Sequence, residues 1–153
     1  MSNRGRRDNP VKSSRQRALG NRTGLTNRPM LAWGLLVGYC ALVFIGSSVS
    51  RLPRELSKVP DYVLHFSEYF VMGLLANLAF RTRPLSFRIW MASVLATLFC
   101  ACYAMSDEFH QYFVAGRSAS LHDIGADLLG AAFAQVVILL LRRIMTSRRG
   151  NDR

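Results

Sequence analysis

Residues 30–49 read MLAWGLLVGYCALVFIGSSV and contain no charged side chain. An α-helix rises about 1.5 Å per residue, so a run of ~20 crosses a hydrocarbon core about 30 Å thick. A helix of a water-soluble bundle keeps one wet face. This stretch has none, and that decides for a membrane span over a buried soluble helix. Three further apolar blocks follow, at 62–80, 89–105 and 124–141. The last two are slightly short and need polar residues at their ends to span. The expected fold is all-α: an integral membrane bundle of four transmembrane helices forming one domain over residues 30–145. A basic tail at 1–29 and a short basic tail at 146–153 flank it. The first tail is rich in Arg, Asn and Gly and nearly free of apolar residues, so it is expected to be disordered. It is not amphipathic, which argues against an organellar transit peptide. The block at 30–49 is too long for a typical signal-peptide core and is expected to remain as a helix.

The net charge of +11 fits either a nucleic acid or an anionic membrane surface. Placement separates the two. The long apolar middle and the lack of a nucleic-acid motif exclude a nucleic-acid partner and leave the lipid bilayer. Sixteen of the twenty Lys and Arg lie before the first block, between the second and third, and after the fourth. The remaining four, Arg51, Arg54, Lys58 and Arg117, fall in the other two loops. Basic loops stay in the cytoplasm, so both termini are expected there, with the membrane crossed several times. The basic loop RTRPLSFR carries Pro84, which stops a helix from running through it.

That orientation concentrates ionisable residues at the outer side. The segments DYVLHFSEYF and SDEFHQYFVAGRSASLHDIGAD supply six of the nine carboxylates and all three histidines. Asp61, His65 and Glu68 share one helix face at spacings of four and three. Asp123 and Asp127 repeat the spacing on the fourth block. Ionisable groups at membrane depth face a protein interior or a wet cavity and find partners there. Asp107 and Glu108 lie where a helix C-terminus disfavours negative charge. Two resolutions are open: a new turn capped by Ser106, or pairing with Arg117, the only cation of that loop. Arg117 is expected to contact Asp107, Glu108 or Asp127. Gly116 can take a left-handed turn. Ser120 can cap the fourth helix, with Asp123 closing a capping box. Asp123 thus has a structural role available, and Asp107, Glu108 and His122 could be solvated loop residues. His65, Glu68 and Asp127 are harder to leave without a role. The candidate polar cluster is Asp61, His65, Glu68, Asp107, Glu108, His110, Gln111, Arg117, Asp123 and Asp127.

Small residues at four-residue spacing let helices approach closely. Gly34 and Gly38 form one such pair, and Ala126, Gly130 and Ala134 form a longer run. Cys40, Cys100 and Cys102 all lie within spans and read as buried thiols.

DYVLHFSEYFVMGLL, residues 61–75, and SDEFHQYFVAGRSASLHDIGADLLGA, residues 106–131, resemble two motifs of VanZ-like membrane proteins. The resemblance covers all four spans in order and omits only the tails. Tyr62 stands where a Lys is common, Ala115 replaces a Pro, and Asp127 stands where Asn is frequent. The resemblance implies a small multi-spanning protein of the bacterial cell envelope. The family takes its name from a member linked to teicoplanin resistance, and no established chemistry comes with that name.

Three readings follow. In the first, which is favoured, the chain is not an enzyme, and the outward cluster binds a lipid-linked or peptidoglycan-related ligand or another partner. In the second, the chain is a membrane enzyme acting on a lipid-linked envelope substrate. A divalent metal would then be held by Glu68, Asp107, Glu108, Asp123 or Asp127, with His65, His110 or His122 as ligands or acid/base groups. Spacing does not support a nucleophile among Ser106, Ser118 and Ser120. In the third, the cluster only pins the bundle. No cofactor is evident beyond that metal. Carboxylates and imidazoles meeting with no cation among them would point to a metal or ligand, and direct Arg117 pairing would point to structure.

Overall fold

The computed structural model describes residues 10–49, 59–82, 85–117 and 119–151. Arg51, Arg54, Lys58, Pro84 and Ser118, together with residues 1–9, lie outside the described residues. Four helices and no strands are present among the described residues: α1 (Pro10–Ser47), α2 (Asp61–Phe80), α3 (Ile89–Gln111) and α4 (Leu121–Asn151). Each contains a portion long and apolar enough to cross a membrane, at Pro29–Ser47, Asp61–Phe80, Ile89–Gln111 and Leu121–Arg148. The α1 backbone is already helical from Pro10, so it takes in most of the expected basic tail.

The two spans expected to be short are not short. α3 continues from Met105 to Gln111, and α4 starts at Leu121 rather than at Ile124. The reason lies in the buried face of α3. Ala92, Ala96, Cys100 and Ala104 recur every fourth residue, and Glu108 is the next position in that row. Asp107 and Gln111 lie beside it and are buried too. The acidic pair therefore belongs to the packing face, and the helix has no reason to stop before it. Ser106 does not cap a new turn, since its hydroxyl donates back to the Tyr103 carbonyl at 2.8 Å. The chain reverses after Gln111 through Gly116, whose φ of 83° is the left-handed conformation expected there.

α2 packs most extensively on α4, and α3 closes against both. The run Ala126, Gly130 and Ala134 lies in that seam and is buried, as expected. A Cβ on Gly130 would run into the Phe66 carbonyl oxygen of α2, so only glycine permits this approach. The Gly34 and Gly38 pair behaves differently. A Cβ at either would meet nothing within 4 Å. α1 instead packs through Ala32, Leu36 and Val43, with Tyr39 and Cys40 half-buried beside them. That is a stripe of helical period on another face. Cys100 is buried as expected, Cys40 is half-buried, and Cys102 is exposed on the bundle surface.

Away from the ionisable end, Asn77 donates to Ser93 Oγ at 3.0 Å and to Gln135 Oε1 at 2.9 Å. Gln135 in turn donates to the Gly73 carbonyl at 3.1 Å. This network ties α2, α3 and α4 together where lipid offers no alternative partner. Interhelical bonds of this kind are worth ~0.6 kcal/mol on average and up to about 1.7. Asn77→Ala is therefore expected to cost roughly 1–3 kcal/mol, from two such bonds and a small cavity. Unfolding by denaturing detergent, followed by circular dichroism, would check it.

Candidate functional site

The C-terminal ends of α1 and α3 meet the N-terminal ends of α2 and α4 at one end of the bundle. α2 brings His65 and, one turn deeper, Tyr69. α3 brings Asp107, Glu108 and Gln111, and α4 brings Asp123 and Asp127. Local sequence fixes the directions: His65 and Tyr69 share one face of α2, while Asp123 and Asp127 share one face of α4.

His65 is the hinge of the site. Its Nδ1 lies 3.0 Å from Asp127 Oδ1, a hydrogen bond that becomes an ion pair when the ring is protonated. Both are buried, with His65 at 7% and Asp127 at 1% exposure. On one side, one ligand-capable atom each from His65, Glu108 and Asp123 lie within 4.8 Å of one another. On the other side, His65 lines a cavity of about 60 Å³ together with Asp61, Glu68, Asp107, Gln111 and Arg117. That volume has room for a few water-sized groups.

The polar partners are only partly satisfied. Gln111 donates to Asp107 Oδ2 at 3.0 Å, and the Ser120 backbone N–H donates to Glu108 Oε2 at 2.7 Å. Asp107 Oδ1, Glu108 Oε1, Asp127 Oδ2 and the Tyr69 hydroxyl are buried with no partner. Each such buried unpaired group costs about 1–3 kcal/mol, a cost that a bound group at the site would offset.

Several expectations need correction. Ser120 does cap α4, its hydroxyl accepting from the His122 N–H at 3.2 Å. The return bond of the capping box comes from Glu108 of α3, not from Asp123. That frees Asp123 to face His65 and Glu108. Arg117 lines the cavity, but its guanidinium is not within ion-pair distance of a carboxylate among the described residues. It donates to the carbonyls of Val49 at 3.3 Å and Gly46 at 3.4 Å. The carbonyls of Gly46, in the last turn of α1, and of Val49, just past it, attract a cation because the negative end of the helix dipole lies there. His110 turns away to Ser48 Oγ at 3.0 Å and lies against the Phe44 ring. His122 lies at an apolar groove of about 560 Å³ between α2 and α4, with Tyr62, Phe66 and Leu129. Neither histidine joins the cluster.

Tyr69 and the Ser120 backbone amide belong to the site and were not anticipated. Tyr69 follows His65 by four residues, a spacing that could have placed it on the same face. Nothing local marks the Ser120 amide, whose partner is twelve residues back on another helix.

A family model described as VanZ/LLP1 matches residues 33–142, which include every residue of this site. No curated protein and no solved structure matches the chain.

Proposed function

The chain belongs to the VanZ/LLP1 family, and from that premise we propose that it is a cytoplasmic-membrane protein of the bacterial envelope that binds an envelope ligand at the outer end of its bundle. The location of the basic residues supports this orientation: sixteen of twenty Lys and Arg fall in the two terminal segments and the loop between the second and third spans. The observation that carries the reading is the cavity shared by Asp61, Glu68, Asp107, His65 and Arg117, with a buried Asp107 oxygen that no protein group satisfies. Three carboxylates against one guanidinium, itself committed to the Gly46 and Val49 carbonyls, suit a cationic group. An ammonium on a lipid-linked or peptidoglycan-related molecule, or on a glycopeptide, has that chemistry. Binding there alters access to the cell surface, which is the route to a teicoplanin phenotype.

A membrane enzyme acting on a lipid-linked substrate is the second reading. The groove between α2 and α4 favours it, because Phe66 and Ala126 in its walls are sequence neighbours of His65 and Asp127. A chain could lie there with its polar end at the cluster.

The test is made in a glycopeptide-sensitive host. Production of the parent chain should raise the teicoplanin concentration needed to stop growth. Glu68→Gln and Asp107→Asn, at parental membrane levels, should remove that protection. A reporter fused at Gly116 should read outside. Variants that protect as well as the parent, or a cytoplasmic signal at Gly116, would sink the proposal.

A further inference from the structure

The side of the cluster facing α4 carries an inference that does not depend on the ligand cavity. We propose that His65, Glu108 and Asp123 form a binding site for a divalent cation. One donor atom from each of three helices lies within 4.8 Å of the others. A cation about 2.0–2.2 Å from each donor would fit among atoms so disposed.

Two features show that these donors are prepared for a ligand and are not simply acids brought together. The first is that each buried donor has one atom committed and one free. Glu108 gives Oε2 to the Ser120 amide and keeps Oε1, which has no partner although the residue is only 4% exposed. His65 gives Nδ1 to Asp127 and keeps its other ring nitrogen. The second is the nature of the partner on His65. A carboxylate on the far nitrogen of a ligating imidazole fixes its tautomer and orientation and raises its basicity, an arrangement common to histidine-ligated metals.

Charge balance points the same way. Glu108 and Asp123 bring two carboxylates to a site with no lysine or arginine bound to it among the described residues. Arg117 is held by the carbonyls of Gly46 and Val49. A cation of charge +2 neutralises the pair where a low dielectric makes an unpaired charge costly. One imidazole and two carboxylates suit Zn²⁺ or Mn²⁺, whereas an all-oxygen set would suit Ca²⁺ or Mg²⁺. Three protein donors leave at least one coordination position open toward a ligand.

The experiment uses the full chain, purified in detergent without a histidine tag, stripped with a chelator and equilibrated with Zn²⁺ or Mn²⁺ alone. Bound metal is read by mass spectrometry, and affinity by competition with a chromophoric chelator. About one cation per chain is expected. Glu108→Gln and Asp123→Asn preserve shape and should abolish retention, with folding confirmed by circular dichroism and gel filtration. Asp127→Asn should weaken binding by roughly 10–100-fold, as loss of an outer partner does. His110→Gln, whose ring turns away to Ser48, should bind as the parent does. Failure of the teicoplanin test would leave these values unmoved. A folded parent that retains no cation would overturn the proposal. So would Glu108→Gln and Asp123→Asn chains that bind as the parent does, since the metal would then sit elsewhere, for instance on the thiols.

Discussion

Replacing Gly130 with leucine should leave little folded protein in the membrane, and Gly130→Ala should already cost about 3 kcal/mol, the top of the range for overpacking. The added Cβ would meet the carbonyl oxygen and carbon of Phe66 and the amide nitrogen of Phe70. These are backbone atoms of α2, so relief requires moving a whole helix away from α4. That movement would loosen Ala131 and Ala134 from the same seam and separate His65 from Asp127. Gly73, on the opposite helix, is milder: its new Cβ would lie 3.1 Å from the Ala131 carbonyl and from the Ala134 and Gln135 side chains. Gly34→Ala and Gly38→Ala should stay within about 0.5 kcal/mol of the parent, as surface substitutions do. Unfolding in graded denaturing detergent ranks the series. A Gly130→Ala chain that unfolds with the parent would mean that α2 and α4 are not in backbone contact at this point.

His65→Ala should be the most damaging single change among the polar residues, at about 3–5 kcal/mol. Asp127 is 1% exposed, and His65 is the side chain that partners it among the described residues. Removing the imidazole leaves a carboxylate buried between helices, with one oxygen that was already unsatisfied. Asp127→Asn keeps an oxygen for the ring and should cost much less. The informative chain is the double variant His65→Ala with Asp127→Asn. It removes the abandoned charge along with its partner, so it should be more stable than His65→Ala alone. The measurement is made in chelator, which separates folding from cation binding. If the double variant were no more stable than His65→Ala, the cost would come from lost packing, and the account of a buried charge would be wrong.

The sequence by itself determined the class of the molecule. Four apolar blocks of spanning length and the absence of charge at 30–49 are properties of the chain read one residue at a time. So is the seam of α4, because small residues four apart form a face on any helix. His65, Glu68 and Asp127 were likewise legible as functional candidates from the cost of ionisable groups at membrane depth. Two small-residue patterns looked alike in the sequence, and the structure separated them: Gly130 meets a backbone while Gly34 and Gly38 meet nothing.

Tertiary structure alone decided which candidates share a site. His110 and His122 carry the same side chain as His65, but one goes to Ser48 and the other to the apolar groove. Arg117 looked committed to a carboxylate because it was the only cation in its loop. The carbonyls at the end of α1, invisible as charge in a sequence, took it instead. Asp123 looked like a helix cap until Glu108 arrived from another helix to make that bond. Periodicity assigns a residue to a face of its own helix. The register between helices decides what that face meets, and close packing across α2, α3 and α4 sets that register.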